Sequence, residues 1–129
     1  PRSSEMPSET RTRRLAERIR EELAEVLLSR TADPRLEGVL VSGVEVDREF
    51  AFATIYVTAL EGTERRVDAL RGLRAAQGFL RSTLAARIPL RSFPRLRFRW
   101  DDTAERAAGV DAVLARLREE ESAGGGAGA

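Results

Sequence analysis

The chain has 129 residues, of which 42% are hydrophobic and 33% are charged, and its formal net charge is +1. This length suits one domain built around one hydrophobic core. The sequence contains no Cys, His or Lys, which excludes disulfides, zinc-finger sites, catalysis by histidine and Schiff-base chemistry. No apolar run approaches the ~20 residues that cross a bilayer. We therefore expect a soluble, cytoplasmic protein with no cofactor and no membrane partner.

The positive charge is concentrated in one stretch of the chain. Ten of the 22 basic residues lie between Arg65 and Arg99, where the only acidic residue is Asp68. All of them are Arg, and GC-rich coding could explain that choice of cation, but codon bias does not explain why acids are missing here. Because such a field attracts polyanions, and phosphate backbones are the commonest polyanion in a cell, the stretch indicates a nucleic-acid partner.

One helix and two strands are predicted before this stretch. From about Thr12 to Arg30 apolar residues follow the helical three-and-four spacing, and Asp33-Pro34 stops the pattern. Two segments rich in β-branched and aromatic residues, Val39 to Val46 and Ala51 to Leu60, predict an antiparallel hairpin. Gly43 inside the first strand indicates a bulge.

The next helical pattern, which begins near Glu64, is interrupted. Its first apolar face consists of Val67, Leu70 and Leu73. If the helix continued unbroken, Gln77 would be buried. A break near Gly78 instead allows a new apolar face, made of Phe79, Leu80, Leu84 and Ile88. We predict two helices joined at Ala76-Gln77-Gly78; the alternative is one continuous helix with a tolerated glycine that costs about 1 kcal/mol relative to alanine.

A third strand and a last helix follow. The run from Arg95 to Trp100 alternates strictly, which predicts a strand with three arginines on one side and Leu96, Phe98 and Trp100 in the core. A final helix from about Thr103 to Glu119 carries one apolar stripe, formed by Val110, Val113, Leu114 and Leu117.

The order α-β-β-α-α-β-α predicts an α+β fold of two layers, with helices over one face of a three-stranded sheet. We place the folded domain at residues 10–120. Residues 1–9 are polar and rich in Ser and Pro, and residues 121–129 form a Gly/Ala tail. Both ends are predicted to be disordered.

Up to the third strand this order is that of a type II KH domain, an RNA-binding module. Several segments together resemble the ribosome-binding factor A family, from about Thr10 to Leu117. They are Asp33-Pro34-Arg35-Leu36, Val41-Ser42-Gly43-Val44, Ile55-Tyr56-Val57, and Ala76-Gln77-Gly78-Phe79-Leu80-Arg81-Ser82 with Leu84, Leu90, Arg91, Pro94, Leu96, Phe98 and Asp101.

The resemblance implies a bacterial assembly factor that binds the small ribosomal subunit and its ribosomal RNA during late maturation, supports processing of the RNA ends, matters most in the cold and acts as a monomer. Ordinary KH domains clamp a nucleic-acid backbone with a Gly-x-x-Gly loop between two helices. The resembled family carries an Ala-x-Gly kink instead, which corresponds here to Ala76, Gln77 and Gly78.

The candidate RNA-binding residues surround this kink. Arg71, Arg74, Gly78 and Arg81 follow one another at spacings of three, four and three, which places them along one helical stripe. The remaining candidates are Arg13, Arg14, Ala76, Gln77, Ser82, Arg87, Arg91, Arg95 and Arg97. Arg95, Arg97 and Arg99 are equally consistent with the ordinary solvent face of a sheet.

Phe79, Phe98 and Trp100 could stack on bases, but all three fit the core pattern, which we prefer. We therefore expect recognition of RNA shape and backbone.

An enzyme is not expected. Asp101 and Asp102 are the obvious adjacent pair of carboxylates, but Asp102-Thr103-Ala104-Glu105 matches a helix capping box. The alternative function is a non-enzymatic α+β interaction domain whose arginine surface binds an acidic protein.

Overall fold

The computed structural model describes residues 8–29 and 33–128. The helices are α1 (Ser8–Ser29), α2 (Arg66–Ala75), α3 (Gln77–Arg87) and α4 (Thr103–Gly128), and the strands are β1 (Val39–Val46), β2 (Phe52–Ala59) and β3 (Arg95–Trp100). Two short 3-10 helices, Pro34–Leu36 and Thr63–Arg65, precede β1 and α2. This is the predicted α+β order of a type II KH-like domain with an additional C-terminal helix.

The three strands form one sheet in the order β1-β2-β3. β1 pairs with β2 antiparallel, as a hairpin, and β3 pairs with β2 in parallel. The register of the hairpin shifts between Val41 and Gly43, which confirms the predicted bulge. In the parallel pair Phe52 lies beside Arg95, and Tyr56 lies beside Arg99. Because β2 is its one neighbour in this sheet, β3 is an edge strand.

One hydrophobic core lies between the sheet and helices α1, α2 and α3. The apolar face predicted for α1 is buried, with Ile19 and Leu23 fully enclosed. Burial of a side chain of this size contributes about 1.5–3 kcal/mol. The alternate residues of β3 that were predicted to be internal, Leu96, Phe98 and Trp100, are also buried. α1 itself begins at Ser8, earlier than the predicted Thr12.

The predicted break between the second and third helices is confirmed, and it is confined to Ala76. This residue leaves the helical region with φ −90° and ψ 3°. Its N–H still donates to the Gly72 carbonyl at 3.0 Å, and its own carbonyl accepts from the Leu80 N–H at 2.9 Å. The chain thus closes one helix and opens the next across a single residue. A continuous helix is excluded.

The prediction of a buried side chain is wrong for two residues of α2 and α3. Phe79 is 55% exposed and Val67 is 63% exposed, whereas Leu80, Leu84 and Ile88 are buried as expected. For Phe79 the reason is where the break falls, whereas Val67 lies in the first turn of α2, away from the break. With α3 starting at Gln77, Leu80 begins the buried face and Phe79 lies beside it, toward solvent.

The last helix also differs from the prediction. Its helical backbone does not end near Glu119 but continues to Gly128, through most of the segment expected to be a disordered tail. Its apolar stripe is not covered either, because the four residues of that stripe remain 44–57% exposed. Among the described residues, the helices that contribute to the core against the sheet are α1, α2 and α3. Residues 1–7 and 129 lie outside the described residues, so the expectation of disorder there stays a prediction.

Candidate nucleic-acid interface

The arginine-rich stretch divides into engaged and exposed side chains. Among its ten arginines, Arg65, Arg81 and Arg87 are half-buried. The other seven are exposed to solvent: Arg66, Arg71, Arg74, Arg91, Arg95, Arg97 and Arg99. This exposed set is the basis of the candidate interface.

α2 presents two cations that no described residue neutralises. Arg71 and Arg74 form no ion pair with any described residue, and they line a depression of about 250 Å³ together with Arg66 and the exposed Val67. Charged side chains without a partner retain their full field toward solvent. The depression is therefore electropositive.

The first turn of α3 adjoins these cations and is open. A Cβ on Gly78 would meet no atom within 4 Å, so neither packing nor backbone conformation within the domain requires glycine there. No side chain in the described part of the chain caps this helix, and its first turn holds no acidic residue. The first N–H groups of a helix have no partner inside the helix, and they favour an anion. We call the set Arg66, Arg71, Arg74 and Gly78 the kink surface.

A groove of about 1010 Å³ extends from the kink surface along the outer edge of β3. Arg74 and Gln77 line its helical side, and Arg97 and Arg99 line its sheet side. Gln77 Nε2 donates a hydrogen bond to the Leu96 carbonyl at 2.7 Å. This hydrogen bond connects the helix break to the edge strand β3. Gln77 thus positions the helix break, and we call this groove the edge groove.

Arg81 does not extend the exposed stripe as predicted. Its Nη2 donates to the Phe93 carbonyl at 2.6 Å, and its Nε donates to the Pro94 carbonyl at 3.1 Å. A guanidinium that donates to two successive carbonyls fixes the turn before β3. Arg81 is therefore a structural residue in this fold.

Arg87 is also engaged within the protein. Its Nη1 lies 2.9 Å from Glu22 Oε1 and 3.1 Å from Glu25 Oε1, which connects α3 to α1. The hydrogen bonds from Arg87 to these carboxylates raise its pKa, that to Glu22 most. Because two carboxylates already face this guanidinium, Arg87 is paired within the protein, and its predicted contact with RNA stays a prediction.

Four other predicted residues lie apart from the kink surface. Arg95 and Arg97 are exposed on the face of the sheet that points away from the helices, because the alternate residues of β3 fill the core. Ser82 is exposed on α3, and Arg91 is exposed in the loop before β3. Ala76, the break itself, is half-buried against the core.

Arg13 and Arg14 form a separate group on α1. They line a shallow groove of about 640 Å³ together with Leu15 and Ile88. The structure thus brings Arg71, Arg74, Gln77 and Gly78 together, and it places Arg13 and Arg14 elsewhere on the surface.

The predicted capping box at the start of α4 is replaced by a different cap. Asp101 Oδ1 accepts from the Thr103 N–H at 2.9 Å, while Asp102 pairs with Arg106 at 3.0 Å. Hydrogen bonds from Ser42 and then Thr103 hold the pKa of Asp101 below its usual range. Both carboxylates of the candidate catalytic pair are therefore engaged by the first turn of α4, where they stabilise the connection between β3 and α4.

Three aromatic side chains lie at or near the surface; Phe79 was predicted to lie in the core, and the other two were not singled out from the sequence. Phe79 is exposed beside Gly78, and Phe52 and Tyr56 are half-buried on the open face of β2. The alternation of β2 could have revealed the last two, since Ala53, Ile55 and Val57 form its other, buried face.

Residues 8–29 and 33–128 contain neither a membrane-spanning helix nor a cluster of metal ligands. No helix in these ranges is long and apolar enough to cross a membrane. No group of three or more acidic, His or Cys side chains in the same ranges could hold a metal ion.

Comparisons with known proteins agree on one family. A family model described as Ribosome-binding factor A matches residues 11–114. Ribosome-binding factor A of Thioalkalivibrio sulfidiphilus is 39% identical over 114 residues, which cover 88% of each chain. The protein of that name from Nitrosomonas europaea is 43% identical over 111 residues, covering 86% of this chain and 92% of the other.

Solved structures agree with the sequence relatives. The crystal structure of ribosome-binding factor A from Thermus thermophilus has a TM-score of 0.62 at 31% identity, covering 69% of this chain and 93% of that one. A homology model of the T. thermophilus factor, fitted into a cryo-electron microscopy map of a complex with 30S, has a TM-score of 0.56 at 31% identity, covering 67% and 90%. The chain belongs to the ribosome-binding factor A family.

Proposed function

We propose that the protein is an assembly factor that binds the small ribosomal subunit during late maturation, docking on folded ribosomal RNA with the kink surface. The observation that carries this proposal is that the arginines on α2, which pair with no described residue, lie next to the open first turn of α3, which no described side chain caps. The T. thermophilus relative that was fitted into a 30S complex supports the choice of subunit.

The contact we infer is with the phosphate backbone. Arg71 and Arg74 supply charge, and the absent side chain at Gly78 lets a backbone approach the N–H groups that begin α3. Such contacts fix position and orientation without reading bases. Recognition would then depend on the shape of the folded RNA.

No chemical step is assigned to the protein. In the candidate carboxylate pair Asp101 caps α4 and Asp102 pairs with Arg106. The exposed arginines cannot act as bases, because a guanidinium stays protonated in proteins. We propose that binding alone supports processing of the ribosomal RNA ends. The effect should be largest in the cold, where misfolded RNA helices escape slowly, and the protein would act as a cytoplasmic monomer.

Co-sedimentation with separated ribosomal subunits tests this function. We expect the wild-type protein to sediment with small subunits and the Arg71→Glu, Arg74→Glu variant to remain in the supernatant. A matched control is Arg116→Glu, Arg118→Glu, which reverses two exposed charges on α4 and should bind normally. Equal binding by the two double variants would refute the kink surface.

The cellular role has its own test. Cells that lack the protein should accumulate small subunits with unprocessed ribosomal RNA ends at low temperature. The α4 control variant should rescue them, and the variant at Arg71 and Arg74 should not. Normal RNA ends and normal subunit profiles in the deletion strain in the cold would contradict the proposed role and favour the acidic protein partner.

A further inference from the structure

The face of the sheet that points away from α1, α2 and α3 carries an unusual combination of side chains. β2 contributes Phe52 and Tyr56, both half-buried, and β3 contributes the exposed Arg95, Arg97 and Arg99. We call these five residues the open-face platform. No described element buries this face completely, because the three arginines are exposed and the two rings are only half-buried.

The parallel register places rings and guanidinium groups side by side. Phe52 lies beside Arg95, and Tyr56 lies beside Arg99. The Arg97 guanidinium carbon is 3.6 Å from the centroid of the Phe52 ring, which is a stacked cation–π contact. A planar guanidinium above a ring presents its second face to a further planar group.

Tyr56 is open toward the neighbouring strand. Its partner in β1 is Gly43, where a Cβ would meet no atom within 4 Å. The Tyr56 hydroxyl donates to Glu45 only at 3.5 Å, and Glu45 is the one acidic residue on this face of the described sheet. A flat group can therefore approach the ring from the β1 side.

This combination fits an unpaired RNA strand better than a duplex or an acidic peptide. Bases of single strands stack on aromatic rings and on arginine planes, whereas bases within a duplex are already stacked on one another. An acidic peptide would use the three cations but not the rings. The strand would also have a path, because Tyr56, Arg97 and Arg99 line the edge groove that reaches Arg74. Three carboxylates line this groove as well, and two of them are already engaged, Asp101 by the Thr103 N–H and Asp102 by Arg106.

We propose that the open-face platform binds an unpaired segment of RNA, with bases stacked on Tyr56 and on the Phe52–Arg97 pair and phosphates held by Arg95 and Arg99. This inference rests on the proposed function for the origin of the RNA. It adds a second surface, which reads single strands, to a kink surface that docks on folded RNA.

Photo-crosslinking of the full wild-type chain tests the platform directly. The probe is an eight-nucleotide oligouridylate that carries 5-iodouracil, and the crosslinked peptides are identified by mass spectrometry. We expect crosslinks at Phe52 or Tyr56. Crosslinks that map only to α1, α2, α3 or α4 would overturn the proposal, and this readout does not depend on the folding of any variant.

The affinities of platform variants for the oligouridylate provide a second test of the platform. Fluorescence anisotropy with the same oligouridylate, labelled with fluorescein, should show roughly a fivefold or greater loss for Tyr56→Leu and for Phe52→Leu, since one stacked base contributes at least that much. Both variants keep an apolar side chain, and their unfolding curves control for folding. Unchanged affinity in folded variants would refute the platform.

The platform and the proposed function can fail separately. If the oligouridylate does not bind while small subunits co-sediment with the protein, the platform is wrong and the proposed function stands. If Tyr56→Leu weakens the oligouridylate but Arg71→Glu, Arg74→Glu still co-sediments, the platform is supported and the kink surface is wrong.

Discussion

Replacing Gly78 with alanine separates a folding role of this glycine from a binding role. Gly78 is the second residue of α3, its φ is not left-handed, and an added Cβ meets nothing within 4 Å. Glycine in a helix costs about 0.5–1 kcal/mol relative to alanine. The variant should therefore be more stable than the wild type by about that amount, which corresponds to a rise in Tm of about 2–5 °C for a domain of this size.

The same methyl group should weaken RNA binding. It would stand between the first turn of α3 and an approaching phosphate backbone, and overpacking a close contact costs about 1–3 kcal/mol. We expect the Kd for small subunits to rise by a factor of about 5 to 150. Thermal unfolding followed by circular dichroism and a titration of labelled protein with small subunits measure the two effects on one sample.

Gly109 supplies the matched control. It is an exposed glycine of α4 with nothing within 4 Å of an added Cβ. Gly109→Ala should raise Tm similarly and leave subunit binding unchanged. A Gly78→Ala variant that is more stable and still binds as tightly as the wild type would refute our reasoning that this position is open for the ligand.

Four other expectations concern the scaffold. Gly72→Ala should lower stability by about 1–3 kcal/mol in urea unfolding, because its Cβ would lie 2.9 Å from Arg35 Cβ; equal stability would contradict this packing. Arg81→Gln should cost about 1–3 kcal/mol, since two carbonyls lose a charged donor, and an unchanged urea midpoint would argue against the tether. Hydrogen bonds keep the pKa of Asp101 low in the folded state, so its ionised carboxylate stabilises the fold at pH values above the unfolded pKa of about 3.9. The free energy of unfolding of the wild type should therefore exceed that of Asp101→Asn at pH 5, and this difference should vanish as the pH falls to 2. A difference that stays constant with pH would contradict this role of Asp101. Truncation after Glu121 should preserve both the Tm and subunit binding, and loss of either would show that the end of α4 makes contacts.

Much of the fold follows from local pattern. Strict alternation predicted β3 from Arg95 to Trp100 with its correct ends, and the change in helical phase around Gln77 predicted the break. These features depend on which residues face one core, and periodicity reports that directly. The bulge was also predicted from a local feature, the glycine at position 43 within a strand.

The wrong predictions of burial have two separate causes, one for α4 and one for Phe79. The apolar stripe of α4 has the spacing of a buried face, but no spacing shows whether another element covers it. Phe79 was assigned to the core because a break displaced by one or two residues rotates it inward. Element boundaries decide such cases, and they have weak local signals.

The candidate site was predicted less completely than the fold. Charge clustering located the stretch from Arg65 to Arg99, but it could not separate free arginines from engaged ones. Arg87 is paired with Glu22, which lies 65 residues away, and Arg81 donates to carbonyls 12 and 13 residues away. Only tertiary structure shows that these two guanidinium groups are engaged within the protein.

The salt dependence of binding to small subunits tests the central claim most directly. Each lost phosphate contact should reduce the slope of log K against log salt concentration by roughly 1. The account predicts that Arg71→Glu, Arg74→Glu weakens binding and lowers the slope by about 2 relative to the wild type, while the Arg116, Arg118 control keeps both values. An unchanged slope and affinity for the variant at Arg71 and Arg74 would contradict docking of the kink surface on ribosomal RNA.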